Sequence, residues 1–402
     1  MSDLHPEALY EHVKALATTI GPRPTGSLAE AKARDYIRTT LAARGIATEE
    51  IPFLCWDTWG YTMCVPAALV VAATILGRSG RLRRLAGAAT AAYSVYHMWQ
   101  SMLNVKQPMR WLFPKVPTAT TVARIPAQQQ AHRRVVLIGH TDSNKQRPSF
   151  TQGRKKLLQA SSSVGFLAHA LAAAALLAQS IRPTRMGGAA QAAAGLVVGG
   201  FLAGLAYDEL APFVPGAQDN ATAVACLLGL GAHIQTHPLE QTEVWLAFTG
   251  AEESSCMGTH ALLDQYGDEL RDAYFIDFEL VGSSRIAYVT RHSGITYFTP
   301  YAPDADSLAL ARAAAERSRQ LGVTGQPVVI VEEVASLRRR GFRGICLVGL
   351  DAEGWLPHWH QATDDADHID PEGLATASQF ALAMIQELDG QHTPLTEARK
   401  SA

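Results

Sequence analysis

Two stretches of this chain contain no acidic residue, and they constrain everything around them. Residues 58–105 carry only Arg78, Arg81, Arg83 and Arg84 as charges, and residues 157–207 only Arg182 and Arg185. Apart from those six arginines, all of the 35 basic and 37 acidic residues lie elsewhere. Each stretch divides at its arginines into two uncharged runs. They are Thr58–Gly77, Leu85–Val105, Leu157–Ile181 and Met186–Tyr207, with 20, 21, 25 and 22 residues. A bilayer core ~30 Å thick needs ~20 helical residues. We therefore expect two inserted apolar helical hairpins, at 58–105 and 157–207, able to enter a lipid bilayer.

Their details fit that expectation. Gly195, Gly199, Gly200 and Gly204 would let helices approach closely. Trp56, Trp59, Trp99 and Trp111 sit near the ends of the first insertion, as in an interfacial belt. The runs are Ala-rich, however, and His97 and His169 interrupt them. A soluble helical subdomain or a dimerisation arm is the alternative reading.

The remaining segments, 1–57, 106–156 and 208–402, are expected to build one discontinuous domain. The chain is 48% apolar with a net charge of −2, which excludes disorder as a whole-chain description. The even balance of charge leaves no footprint for nucleic acid. Five cysteines without a C-x-x-C pair argue against a disulfide framework and against a thiolate zinc site. The first twenty residues lack an apolar signal core. This favours a membrane-associated chain with its catalytic domain facing the cytoplasm, a soluble cytoplasmic protein being the alternative. Charge does not settle the orientation, because Lys106, Arg110, Lys115, Arg154, Lys155 and Lys156 flank the apolar runs opposite the arginine tips.

Outside the insertions, strands and helices alternate. Val135 to Gly139 is a continuous apolar run, as expected for a strand buried on both faces. Ile46–Phe53, Thr118–Ile125, Val244–Phe248, Ala273–Phe278 and Gly344–Leu350 read as further strands. Helices are expected from Ser27, with Glu30 at the capping-box spacing, and at Asn220–Ile234, Thr259–Tyr266, Ser307–Leu321 and Pro371–Leu388. The pattern predicts an α/β fold with a mostly parallel central sheet flanked by helices.

Five motifs, almost all at predicted strand ends, carry chemistry. In Gly139-His140-Thr141-Asp142, His140 is able to bind a metal while Asp142 orients it. Asp219-Asn220 precedes a helix, as metal carboxylate or as ordinary cap. Glu252 and Glu253 follow a buried strand, where two unneutralised carboxylates are costly. Asp277 and Glu279 interrupt an apolar strand. A His-rich loop, His358-Trp359-His360, runs on to Asp364 and Asp365.

Taken together and in this order, the five resemble the two-zinc aminopeptidase family, whose relatives include glutaminyl cyclases and glutamate carboxypeptidases. Arg23-Pro24-Thr25-Gly26-Ser27 is similar to that family's N-terminal R-x-x-G-S segment. The resemblance runs from about residue 10 to residue 390, excluding the insertions. It implies two Zn2+ ions, with Mn2+ or Co2+ as alternatives. His140 and Glu279 would hold one, Glu253 and His360 the other, and Asp219 would bridge them. Glu252 would be the general base on a metal-bridging water, and Asp142, Trp359 and Asp364 would support the site or the substrate. The implied activity is hydrolysis of N-terminal peptide bonds in a peptide with a free N-terminus.

Two positions depart from the family pattern. Glu279 stands where Asp is usual, which makes Asp277, two residues earlier on the same face, a fallback ligand. Trp359 stands where many aminopeptidases carry Tyr, and glutaminyl cyclases carry Trp there. A cyclase acting on N-terminal Gln is therefore the second enzymatic reading. A non-catalytic receptor or scaffold on a peptidase fold is the third.

Overall fold

The computed structural model describes residues 2–105, 107–151 and 155–390. Lys106 and Arg154, two of the flanking basic residues, lie outside them.

The chain opens with helices α1 (Pro6–Val13) and α2 (Leu28–Ala42), followed by strand β1 (Thr48–Cys55). Helices α3 (Gly60–Leu76) and α4 (Arg81–Met102) form the first insertion. Strands β2 (Val116–Ile125) and β3 (Arg133–His140) lead to the second, α5 (Lys155–Ile181) and α6 (Arg185–Glu209). Then come α7 (Thr222–Thr236), β4 (Thr242–Thr249), α8 (Met257–Tyr266), β5 (Tyr274–Glu279) and β6 (Arg285–His292). The chain closes with α9 (Ala305–Arg317), β7 (Thr324–Val328), α10 (Glu333–Arg339), β8 (Ile345–Leu350) and α11 (Pro371–Asp389).

The strands form one eight-stranded sheet in the order β1-β2-β4-β3-β5-β8-β6-β7. The expected parallel sheet is its centre, where β4, β3, β5 and β8 run parallel. The sheet as a whole is mixed, because β2 joins β4 antiparallel and β6 joins β8 antiparallel. Strands β6 and β7 were not expected from the sequence. β7 reads Thr-Gly-Gln-Pro-Val, poor strand material that survives as an edge.

Alternation along β3 explains why its sequence is apolar throughout. Val135 and Leu137 pack into the core under α1, α7 and α11, while Val136 and Ile138 pack into the opposite core with Leu262 of α8 and Val334 of α10. Burial on both faces removes the polar positions that a one-sided strand would show. Gly139 ends this run for a steric reason. A Cβ there would lie 2.6 Å from the Ala223 Cβ, so α7 approaches β3 closely beside His140.

Helix signals hold at the expected places. The Ser27 hydroxyl accepts from the Glu30 N–H at 3.1 Å. Glu30 itself reaches the Gly26 N–H (2.7 Å) and the Thr118 hydroxyl (2.7 Å), tying α2 to β2. Asp370 caps α11, with Pro371 at its first position.

The four inserted helices pack side by side, α3 against α4 and α6, and α5 against α4 and α6. Their core is small and aliphatic, built from residues such as Ala67, Val70, Ala91, Ala172, Leu176 and Val198. Two of them, rather than four, are long and apolar enough to cross a membrane by length and composition: 156–181 and 185–209. The break after Gly77 holds α3 to 17 residues, and α4 spends its first turn on Arg81, Arg83 and Arg84. His97 does not disturb its helix, because its ring bonds the Thr62 carbonyl (3.1 Å) and the Met109 N–H (3.2 Å). Arg84 joins the hairpin tips by donating to the carbonyls of Gly77, Arg78 and Gln179. The five cysteines are free.

Candidate metal centre

The parallel strands end on one side of the sheet, and the candidate residues collect there. His140 is the last residue of β3, Glu279 the last of β5, and Glu252-Glu253 follow β4. Sites in open α/β sheets form at such carboxyl ends.

Asp219 stands at the centre. Its Oδ1 lies 3.0 Å from His140 Nε2 and its Oδ2 lies 3.1 Å from His360 Nε2. His360 Nε2 is also 3.4 Å from Glu253 Oε2, and His140 Nε2 is 3.8 Å from Glu279 Oε2. Two groups of ligand-type atoms result, His140–Asp219–Glu279 and Asp219–Glu253–His360, each within 4.8 Å, with Asp219 common to both. Glu252 Oε2 lies 3.9 Å from His140 Nε2, at the edge of this arrangement. Asp277 does not join it. Although on the same strand face, it groups with Glu332 and Cys346.

Backbone and buried side chains hold these groups in place. The His140 Nδ1–H donates to the Asp142 carbonyl at 3.0 Å, which leaves Nε2 facing Asp219. The Asp142 carboxylate accepts from the N–H groups of Glu252 (3.1 Å) and Glu253 (3.2 Å) and from the Thr25 hydroxyl (2.9 Å). Asp364 accepts from the Gln218 N–H at 2.6 Å and so sets the loop that presents Asp219. Asn220 donates to Glu279 Oε2 at 3.1 Å. Arg23 accounts for the N-terminal motif. Its buried guanidinium donates to the carbonyls of Thr141 (2.8 Å), Pro215 (2.7 Å) and Gly216 (2.8 Å), clamping the His140 loop to the Asp219 loop. Ala251, Leu280 and His360 adopt positive φ of 55°, 50° and 53°, uncommon for non-glycine residues. Backbone strain of this kind concentrates at functional sites.

Several contributors were not picked out from the sequence. Asn144 donates to Glu253 Oε2 and contacts His360 Nε2 at 3.0 Å. The Arg147 Nε–H reaches the Asn144 Oδ1 at 3.0 Å. Its Nη1 pairs with Glu209 at 2.7 Å, and Glu209 also accepts from the Thr58 hydroxyl at 2.8 Å. The roots of both insertions are thereby connected to the site. Glu333 groups with Glu252 and Glu279 and accepts from the Thr249 hydroxyl at 2.6 Å. Its sequence signal is an apolar run, Val328 to Val331, that leads directly into Glu332-Glu333, a second adjacent pair of carboxylates like Glu252-Glu253.

The electrostatics are those of crowded carboxylates. Burial, aided by neighbouring acids, pushes Glu252 and Glu279 well above the ordinary carboxylate range. Burial and the Asp219 charge push Glu253 up as well. Burial also opposes ionisation of Asp219, but hydrogen bonds to His140 and His360 outweigh it and hold Asp219 well below that range. Burial lowers His360, yet Glu253 and Asp219 bring it to about 9. Glu333 is pushed up to about 7, chiefly by burial.

The donor set fits divalent cations. Glu253 Oε1 and Glu279 Oε1 are buried without a hydrogen-bond partner among the described residues. Such oxygens carry a desolvation cost that a cation removes. Oxygen and imidazole donors without thiolate suit zinc, manganese or cobalt.

Comparison with known proteins agrees. Residues 196–385 match the model of peptidase family M28. Among curated proteins none matches in sequence. The fold is similar to that of a glutaminyl cyclase from Bacteroides thetaiotaomicron (TM-score 0.56, 13% identity, 95% of this chain and 97% of that one). It is equally similar to BSAP, a zinc aminopeptidase from Bacillus subtilis (TM-score 0.56, 13% identity, 96% and 95%). A Zn-dependent exopeptidase from Parabacteroides distasonis also matches (TM-score 0.53, 14% identity, 95% and 98%). The resemblance drawn from the five motifs is borne out, and the chain has a zinc-peptidase fold.

Proposed function

We propose that this chain is a membrane-associated, zinc-dependent aminopeptidase. The supporting observation is that two ligand triads share Asp219 while Glu252 stands beside them. His140 and Glu279 would hold one Zn2+, Glu253 and His360 the other, and Asp219 would bridge the pair. Bound there, the ions supply Lewis-acid polarisation of the scissile carbonyl and acidify water. Glu252 takes a proton from the attacking water and delivers it to the leaving amine nitrogen as the C–N bond breaks. The Asp142 carboxylate fixes the backbone of Glu252 and Glu253, so the base is positioned before substrate arrives. Carboxylates of the site receive the substrate's free α-amine, which restricts cleavage to N-termini.

The test is a metal count followed by turnover of dipeptides. Two zincs per chain and loss of activity on chelation are expected. Glu252→Gln is expected to keep both metals and lose about 10²–10⁴ in kcat, the usual worth of a general base. Unchanged turnover in that variant overturns the mechanism.

Trp359 favours a second reading, a cyclase acting on N-terminal Gln. Its buried indole packs edge-on against Phe150 (4.6 Å between centroids) and near Trp355 (5.8 Å), forming one wall of the site. One bound zinc with ammonia released from Gln-peptides supports the cyclase instead.

The membrane part of the proposal rests on surface. Only 44% of the apolar window in α5 and 22% of that in α6 is buried within the protein. Leu167, Leu171, Leu177, Leu196 and Val197 are exposed on these helices, a patch that asks for lipid or a partner. In this reading, segments 1–57, 106–156 and 208–402 form the catalytic domain on the cytoplasmic side. The hairpins at 58–105 and 157–207 anchor it. Release of the protein into the soluble fraction by a carbonate wash, without detergent, overturns the anchoring.

A further inference from the structure

Beside the candidate metal centre the sheet buries a second set of donor atoms. Asp277 lies on β5 and Cys346 on β8, and the parallel register makes these two residues direct partners. Partners in neighbouring strands share a face of the pleated sheet. Glu332, the cap of α10, completes the group from the segment between β7 and α10. Ligand-type atoms of the three residues lie within 4.8 Å of one another, and all three residues are buried. The sequence could not show this, because the donors come from three separate elements. Absence of a C-x-x-C pair argued against a thiolate zinc site, but this group needs only one cysteine.

Two observations set this group apart from an ordinary buried ion pair. Asp277 is fully buried, yet neither of its carboxylate oxygens has a hydrogen-bond partner among the described residues. Its charged neighbours are further acids, Glu333, Glu332 and Glu279. Such a carboxylate is costly until a proton or a cation neutralises it. Glu332, by contrast, is already oriented. Its Oε1 lies 2.5 Å from His292 Nε2 and accepts from the Tyr301 hydroxyl at 3.2 Å, while its Oε2 accepts from the Val334 N–H. The His292 and Tyr301 rings stack at 4.1 Å between centroids. Partners of this kind aim a ligating carboxylate in one direction. The donor set then selects the ion. A thiol with two carboxylates suits zinc, whereas calcium and magnesium take oxygen alone. Donors around a tetrahedral zinc stand ~3–4 Å apart, so a modest contraction of this triad completes a site. Glu332 also lines the cavity at the candidate metal centre, which gives an ion its way in and supplies water for a fourth position.

We propose that Asp277, Glu332 and Cys346 form a third metal site, separate from the pair centred on Asp219, which binds one zinc ion through the Cys346 thiolate. On binding, the S–H proton leaves to solvent and an S–Zn bond forms. The ion ties β5, β8 and the start of α10 together. It thereby fixes Glu333, the next residue, beside Glu252 and Glu279. The site stands whether or not the chain cleaves peptides.

The experiment compares metal content between parent and variants after incubation with excess zinc and desalting. The parent is expected to carry one ion more than the pair around Asp219 accounts for. Cys346→Ala and Asp277→Asn are each expected to carry one fewer than the parent, with circular dichroism establishing that they fold. A buried neutral acid at Asp277 gives the opposite result, because Asn replaces it in shape and leaves the count alone. Cobalt loading supplies a second readout, the near-ultraviolet thiolate-to-cobalt charge-transfer band. That band is expected in the parent and in Glu253→Ala, and is expected to vanish in Cys346→Ala. Cys256 also lies near the cavity, 3.1 Å from Glu252 Oε1, so Cys256→Ala is the control and is expected to keep the band. An unchanged metal count in Cys346→Ala or in Asp277→Asn overturns the proposal. So does a parent without the band, or a band lost in Cys256→Ala and kept in Cys346→Ala. Failure of the two-zinc reading changes parent and variants alike, and leaves the difference of one ion to decide the third site.

Discussion

The α/β domain and the four inserted helices handle polar groups in opposite ways. The domain buries at least six ionisable side chains within a few ångströms of Asp219 and arranges loops, caps and a buried arginine to hold them. Among the described residues the helices bury few, His97, His169 and Asp208, and settle His97 and Arg84 on backbone carbonyls within their own bundle. The contrast teaches where polar groups are gathered and where they are kept out. Concentrated charge supplies reactivity and tolerates little variation in geometry. Apolar surface supplies packing between helices, through small aliphatic side chains. The two regions are coupled at the Glu209–Arg147–Asn144 relay.

The sharpest way to break this comparison is at its charged centre. Asp219→Ala is expected to release both zincs, while Glu253→Ala or Glu279→Ala releases one, by elemental analysis. Activity in Asp219→Ala should fall toward the uncatalysed rate, roughly 10⁶-fold or more. Retention of two ions there removes Asp219 from the bridging role.

The coupling is tested next. Arg147→Met leaves Glu209 without its main partner at the junction of the two regions. Breaking a buried ion pair costs about 3–5 kcal/mol, read as a lower denaturant midpoint. Zinc affinity should weaken too, since Asn144 loses its support. A variant as stable as the parent shows that the regions are independent.

Acid response distinguishes the domain from the helices. Burial raises Glu30 to about 7 in the folded protein, while an unfolded glutamate titrates near 4.5. Between these values the folded state holds the extra proton, so stability falls as pH rises from 4.5 to 7 and levels off above. The drop is on the order of 3 kcal/mol. Glu30→Gln should flatten that slope in urea titrations, and an unchanged slope assigns it to other acids.

The smallest effect belongs to the hairpin tips. Arg84→Ala removes three donations to carbonyls and is expected to cost about 1 kcal/mol with zinc content unaltered. A larger loss, or a change in zinc binding, shows that the tips matter to the site.

What was legible in the sequence follows the same division. His140, Asp219, Glu252-Glu253, Glu279 and His360 were visible because each sits where an apolar strand stops or a helix starts, a local signal. Asp142 was visible as the i+2 partner of His140. Asn144 and Arg147 were not, because their partners are set by tertiary structure alone. Arg147 meets Glu209 across 62 residues, and Asn144 meets Glu253 across 109. Glu333 escaped although an apolar run leads into it, because β7 is a short edge strand of poor strand residues and gave no strand end at which to place the acidic pair. The insertions were legible by charge, yet two of the four helices fall short of a membrane span. Uncharged runs count residues, whereas helix length depends on where Gly77 and Arg81 let the backbone break.

The position of the second insertion also sets an order of events. His140 precedes it in the chain, Asp219 follows it, and His360 comes much later still. During synthesis, at ~5–20 residues per second, α3 to α6 are complete before Asp219, the first of the proposed metal-binding carboxylates, has been made. His360 arrives on the order of ten seconds after Asp219. The helices are therefore made while the centre is still incomplete. The full proposed ligand set exists only once His360 has been made, so on this reading metal capture would come last.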